Sequence, residues 1–226
     1  MAGAVSKDSG IIGEYMEEKL KEKIREFGIK LIKENLTHGT SGNISCRINE
    51  KILITPSSIP YEKIELEDII VVNFDGEVIE GRKNPSIETP LHLAIYKKRK
   101  DVHAIIHFHS QYALAVSSTV DSIPVFLDEI FSNIGGELKV AKYALPGSEE
   151  LAQNVVEVLG DKNAVLLSNH GALSCGKNLE KAFEIAKAVE FICKIYVFAS
   201  MVGKVKELPE SGKEYQKDIF EMRKGF

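Results

Sequence analysis

Residues 102–111 read VHAIIHFHSQ, the stretch that narrows the possible folds most. From Val102 to Phe108 it has the apolar run of a buried β-strand, and His107 and His109 stand at its end. Side chains of a strand alternate between its faces, so residues two apart point the same way. Both imidazoles therefore leave an apolar strand on one side, at its polar end. A second apolar run, NAVLLSNHG at 163–171, also reads as a buried strand and places His170 at its own polar end. One histidine in such a place is more often a hydrogen-bonded core or rim residue, and an HxH pair can arise by chance. Three are different. If the two strands end on one edge of one sheet, three imidazoles meet, a donor set that suits zinc or another borderline divalent ion. A fourth position is then open to water, substrate or a carboxylate.

The remaining histidines, His38, His92 and His103, are weaker candidates. His103 shares parity with His107 but stands about 13 Å away along an extended strand, too far to share an ion. His92 lies one helical turn after Glu88, a spacing that can chelate a metal. On an amphipathic helix it reads as a packing or capping residue.

Elements of both kinds alternate along the rest of the chain. Met16, Leu20, Ile24, Phe27 and Leu31 recur at helical spacing across 14–36. HGTSGNIS is too rich in glycine and small polar residues to be anything but a loop entering a strand. Short strands are expected at 43–47, 52–55 and 69–74, and Asp75-Gly76 signals a hairpin into 77–80. ITPSSIPYEKI is a loop punctuated by Pro and Ser. A helix is expected after Ser86 as its N-cap, with Thr89 and Pro90 in the first turn. Others follow from Gln111, from a Ser148 cap to a Gly160 stop, and across 178–202. A strand at 123–126 precedes the loop SNIGGE, and a charged tail closes the chain. No repeat, linker or domain break interrupts this order. It predicts one domain over 1–226, α/β or α+β in layers, with 1–13 flexible and 206–226 a tail.

Composition sets the outer limits. With 29 Lys and Arg against 33 Asp and Glu, the formal net charge is -4 and the signs are mixed, which argues against a nucleic-acid partner. Cys46, Cys175 and Cys193 are odd in number and form no CxxC pair, so neither a disulfide framework nor a cysteine-rich zinc site is expected. MAGAVSKDSG lacks the apolar core of a signal peptide, and no run approaches the length of a membrane span. The expectation is a soluble cytoplasmic globule with no membrane partner.

GTSGNIS (39–45), ITPSSIPYEKI (54–64), PSIETPLHLAIY (85–96), HFHSQYA (107–113), SIPV (122–125), GG (135–136), GSEELA (147–152) and NHGALSCGKNLEKAF (169–183) follow one another in family order. With them the chain resembles class II sugar-phosphate aldolases of the fuculose-phosphate aldolase type, relatives of ribulose-phosphate 4-epimerases. The resemblance covers nearly all of residues 14–205. It implies an α/β fold, a single three-layer α/β/α domain with a largely antiparallel central sheet, assembled as a homotetramer. It implies Zn2+, or another divalent metal, held by His107, His109 and His170 with Glu88 as a displaceable fourth ligand. It places a phosphate pocket on Thr40, Asn43, Ser57, Ser58 and Ser86, with Ile87 where the family has a second serine. Physically these pieces cohere: phosphate needs many close donors, and glycines such as Gly42 let backbone N–H groups approach while Ser, Thr and Asn add side-chain donors.

The implied substrate is a small sugar phosphate, a (deoxy)ketose 1-phosphate such as L-fuculose 1-phosphate, split into dihydroxyacetone phosphate and an aldehyde. Glu88 is the expected proton carrier, because a carboxylate leaving a metal inside a low-dielectric pocket becomes basic. The family's aldehyde-side tyrosine, supplied by an adjacent subunit, falls on Asp128. Asp128 and Glu129 are therefore candidate acid/base groups, set against a solvated loop, and Tyr215 in the tail is a further group that could reach a neighbour. Rival readings are a pentulose-phosphate 4-epimerase, a methylthioribulose-1-phosphate dehydratase and, of another class, a non-catalytic module like the adducin head domain. Glu88 in SIET, where epimerases carry Asp, favours the aldolase, and a complete ligand set speaks against the module.

Overall fold

The computed structural model describes the backbone of residues 5–224. Alternation sorts the strand side chains into two sets. Ala104, Ile106 and Phe108 pack with one hydrophobic cluster, and Ile105 packs with another. Their strand, β5 (Ala104–Phe108), lies at the centre of a sheet that also contains β1 (Asn43–Ile48), β2 (Lys51–Ile54), β3 (Ile70–Val72), β4 (Val78–Glu80), β6 (Ser122–Ile123), β7 (Leu138–Ala141), β8 (Ala164–Leu167) and β9 (Gly171–Gly176). Spatial order is β4-β3-β2-β1-β5-β9-β8-β7-β6. Neighbours are antiparallel except β7 and β8, which run parallel. The expected largely antiparallel sheet is thus observed, with one parallel pair.

Helices cover both faces. On one face α1 (Val5–Lys33), α3 (Gln111–Ser117), α4 (Asp128–Ile134) and α6 (Leu179–Val202) bury residues such as Phe27, Val116, Ile130 and Ile185 against Ile44, Ile106 and Leu166. On the other, α2 (Thr89–Lys98) and α5 (Glu149–Leu159) bury Leu91, Ile95, Leu151 and Val155 against Ile54, Ile105, Val165 and Leu173. Each such side chain contributes about 1.5–3 kcal/mol relative to exposure. The three-layer α/β/α architecture follows from these two clusters.

Several boundaries differ from expectation for identifiable reasons. The chain from 5 to 13, expected to be flexible, is the first part of α1, while residues 1–4 lie outside the described residues. The strand expected at 123–126 shrinks to a two-residue pair with β7. Asp128 and Glu129 form the first turn of α4 rather than a loop. The expected tail contains a further helix, α7 (Glu210–Lys224), that folds back on α4. Phe220 is buried there, and its ring occupies the space a Cβ at Gly135 would need. Among the expected stops and caps, Ser148 accepts from Leu151 N, Asn178 accepts from Lys181 N, and Gly160 ends α5 at φ 53°.

The start of α2 is a correction with a functional cause. Its N-cap is Glu88, without a side-chain capping bond, and Ser86 stands two residues earlier. Ser86 still serves the turn, accepting from Thr89 through its carbonyl and from Glu88 N through Oγ. Pro90 in the first turn has no N–H to satisfy, so less depends on a capping side chain. The carboxylate at the cap is free to point elsewhere.

Candidate metal centre and its cleft

The polar ends of β5 and β8 meet because β9 lies between them. His107 pairs with Leu173 and Phe108 with Ala172 across β5 and β9, while Leu167 pairs with Gly171 across β8 and β9. The turn 168–170 therefore sits beside the end of β5. Asn169 takes a left-handed φ of 55° in that turn, and His170 N donates to Leu167 O. The three imidazoles converge, with ring centroids 4.7, 4.9 and 5.2 Å apart.

Glu88 reaches the same point from the start of α2. Its Oε2 lies 3.0 Å from His107 Nε2, and its Oε1 lies 3.4 Å from His170 Nε2. His107 Nδ1 donates to Ala172 O at 2.9 Å, which leaves Nε2 with a lone pair in the neutral ring. That lone pair faces His109 Nε2 at 2.8 Å as well as the carboxylate. Burial, reinforced by neighbouring His170, pushes the His107 ring down to about 3, and burial with His107 and His170 nearby does the same to His109. Both rings are therefore neutral near pH 7, with nitrogen lone pairs for a metal. Among the described residues Glu88 Oε1 and His170 Nδ1 find no hydrogen-bond partner, and both are buried. A cluster of converging acceptors around a carboxylate repels itself unless a cation balances it, so the donor set fits a borderline divalent ion. Among the described residues His107, His109 and His170 are the group whose ligand atoms lie close enough to share one, all within 4.8 Å.

Small residues hold this geometry. A Cβ at Gly171 would lie 2.7 Å from Phe108 O and 3.0 Å from His109 Cδ2. Gly42 has φ +78°, and a Cβ there would lie 2.6 Å from His107 O. Gly42→Ala is therefore expected to cost about 2–4 kcal/mol, from left-handed strain plus overpacking. Chemical denaturation of metal-free protein checks this, and a change within 0.5 kcal/mol, on the order of a neutral surface substitution, would refute it.

The expected phosphate residues gather at the same opening. Thr40, Gly42, Asn43, Ser57, Ser58 and Ser86 line one cleft of about 180 Å³ together with Glu88, His107, His109 and His170. Ser57 N donates to Asn84 O and Ser86 N to Thr55 O, which lays the two serine segments side by side. Thr37 Oγ1 donates to Ser41 O and tightens the loop that carries Thr40. Ile87 also lines this cleft and is 63 % exposed.

Asp128 and Glu129 do not line it. Both are exposed, so a part for either in this chemistry requires a second copy of the chain, and the same holds for Tyr215. His92 is neither ligand nor cap: it is fully buried, with Nε2 2.6 Å from Asn43 Oδ1. Its alignment with Asn43 and Ser45 is a relation between a helix and a strand, which periodicity within either does not reveal.

The family model described as Class II Aldolase and Adducin N-terminal domain matches residues 22–197. A 5-deoxy-D-ribulose 1-phosphate aldolase from Bacillus thuringiensis serovar kurstaki is 37% identical over 206 residues, 90% of this chain and 96% of its own. An L-fuculose phosphate aldolase from Escherichia coli K12 is 37% identical over 179 residues, 79% of this chain and 83% of its own. A solved L-fuculose 1-phosphate aldolase superposes with a TM-score of 0.87 at 36% identity, covering 90% of this chain and 96% of that one.

Proposed function

The chain belongs to the class II aldolase and adducin N-terminal domain family, and on that premise we propose that it cleaves a deoxyketose 1-phosphate into dihydroxyacetone phosphate and an aldehyde. Its relatives are class II aldolases, and it is a carbon–carbon lyase of that kind. The observation that carries the finer reading is the placement of three histidines and Glu88 in one cleft with a ring of hydroxyl and backbone donors. A non-catalytic module has no need of both halves.

His107, His109 and His170 would hold the divalent ion, zinc among the borderline ions that three imidazoles suit, with Glu88 as an exchangeable fourth ligand. When bound, the ion supplies Lewis acidity, drawing off the negative charge that builds up as the C3–C4 bond breaks. The protein does the rest. Thr40, Asn43, Ser57, Ser58 and Ser86 would orient the phosphate, so that binding energy far from the breaking bond fixes C3 beside Glu88. Cleavage removes the proton of the C4 hydroxyl and requires one at C3. Glu88 Oε1, buried and without a hydrogen-bond partner among the described residues, would accept the C4 hydroxyl proton and deliver it to C3, and would carry it back in the reverse direction.

The cytoplasmic setting and the homotetramer belong to the same proposal. Three buried free cysteines and a small phosphorylated substrate support the first. Exposed Phe191, Phe198, Met201 and Val202 along α6 supply apolar surface for the second. No helix among the described residues is long and apolar enough to cross a membrane.

Dihydroxyacetone phosphate in D2O tests the reaction without a choice of aldehyde. Metal-loaded protein is expected to exchange one C3 proton stereospecifically, and a chelator is expected to stop it. No exchange from protein shown to hold metal would end the aldolase reading for this chain. Ile87 bears on the phosphate half. Ile87→Ser restores a hydroxyl beside Ser86 and is expected to lower KM about 3–10-fold at unchanged kcat, the worth of one hydrogen bond. An unchanged KM in steady-state kinetics would place the phosphate away from residue 87.

A further inference from the structure

Glu88, His92 and Tyr96 stand at i, i+4 and i+8 around the start and body of α2, and they face Asn43 and Ser45 at i and i+2 on β1. Four residues advance a helix by about 6 Å, and two residues advance a strand by about 6.7 Å. The two stripes therefore stay in register and their side chains interlock. Tyr96 O–H donates to Ser45 O at 3.0 Å and its oxygen lies 2.9 Å from Ser45 Oγ. Ser45 Oγ lies 2.6 Å from His92 Nδ1, His92 Nε2 lies 2.6 Å from Asn43 Oδ1, and Asn43 Nδ2 donates to Glu88 Oε2 at 2.8 Å. None of the five residues is more than 5% exposed.

The carboxylate end dictates the direction of every bond. Asn43 turns its NH2 toward the carboxylate, donating from Nδ2 to Glu88 Oε2. Asn43 Oδ1 then faces His92, whose proton must sit on Nε2. His92 Nδ1 is left as an acceptor for the Ser45 hydroxyl proton. From Glu88 to Ser45 each link then holds one donor and one acceptor.

We propose that His92 is a positioning residue: by holding the Asn43 amide with its NH2 toward Glu88, it anchors Oε2 and reserves Oε1 as the oxygen that carries the proton. This rests on the reading of Glu88 as the proton carrier. The His92 ring is fully buried, and its Nε2–H is the donor that faces Asn43 Oδ1 at 2.6 Å. Without that donor, the Asn43 amide is free to turn its oxygen toward the carboxylate, two acceptors face to face.

Two variants and one spectrum test it. Long-range 1H–15N spectra of histidine-labelled, metal-free protein, assigned by loss of a signal in His92→Gln, are expected to find His92 as the Nε2–H tautomer. The Nδ1–H form would overturn the proposal. His92→Leu removes the donor and is expected to lower kcat about 10–100-fold, with KM within about 3-fold of wild type. His92→Gln places an amide N–H near the Nε2 position and is expected to recover most of that loss. If both variants unfold at the wild-type temperature and are equally slow, the donor role is wrong. Should His92→Leu fail to fold, the spectrum and the glutamine variant still decide. A wild-type protein inactive in proton exchange would remove the catalytic reading of Glu88, whereas the tautomer result would stand by itself.

Discussion

His107→Ala is expected to strip the protein of its divalent ion and to lower turnover by at least about 10³-fold. The ion's Lewis acidity is worth several kcal/mol of transition-state stabilisation, and each 1.36 kcal/mol is tenfold in rate. His107 is the hub of the centre: its Nε2 lies within 3.0 Å of both His109 Nε2 and Glu88 Oε2, and its ring is 1% exposed. Removing it also takes away the hydrogen bond to Ala172 O and leaves a hole beside the sheet, at about 2–4 kcal/mol of stability. His170→Ala separates the two effects, because this side chain is more exposed and comes from a turn rather than a buried strand. It is expected to lose metal with little loss of stability. Metal content after dialysis, turnover and denaturation midpoints check all of this. An alanine at 107 that keeps one bound ion and most of its activity would show that the chemistry lies elsewhere.

The histidines were readable from the sequence because an apolar strand has little reason to end in two imidazoles of one parity unless they share a partner. The fold was readable where a segment carries its own signal: the apolar run of β5, the Asp75-Gly76 turn into β4, the Ser148 cap and Gly160 stop of α5 and the long apolar stretch of α6. The strand β9 carries none. GALSCG has no β-branched residue, and its smallness is set by neighbours. A Cβ at Gly171 would collide with Phe108 O, and one at Gly176 would lie 2.4 Å from Ala182 N. Close packing against β5 and α6 therefore erased the usual signature of a central strand. α4 is a short helix whose two exposed acids look like loop, and α7 buries too few apolar residues to stand out from a charged tail. At the site, NISCR on β1 held a usable sign. Its Asn, Ser and Arg share one face, which a strand in the middle of a sheet must cover with polar partners. Glu88, His92 and Tyr96 at four-residue steps were those partners, but the match needs the helix laid on the strand.

Glu88→Gln should divide catalysis from metal binding. The substitution keeps the shape of the side chain and leaves the three histidines intact, so the ion is expected to be retained. Glutamine can still accept from Asn43 Nδ2 through its carbonyl, which keeps the buried chain from His92 satisfied. What is lost is the ability to take and return a proton at the position of Oε1. General acid–base catalysis contributes about 10²–10⁴-fold, and kcat is expected to fall by that amount with KM little changed. Proton exchange at C3 of dihydroxyacetone phosphate should fall in parallel, because it needs the same transfer without the bond cleavage. This pattern, full metal with neither turnover nor exchange, is the opposite of the one expected for His107→Ala, where both vanish with the metal. If Glu88→Gln keeps more than about a tenth of wild-type kcat, well short of the loss of a general acid–base group, another group carries the proton. The candidates would then be Asp128, Glu129 and Tyr215, which could reach the cleft only from a second copy of the chain.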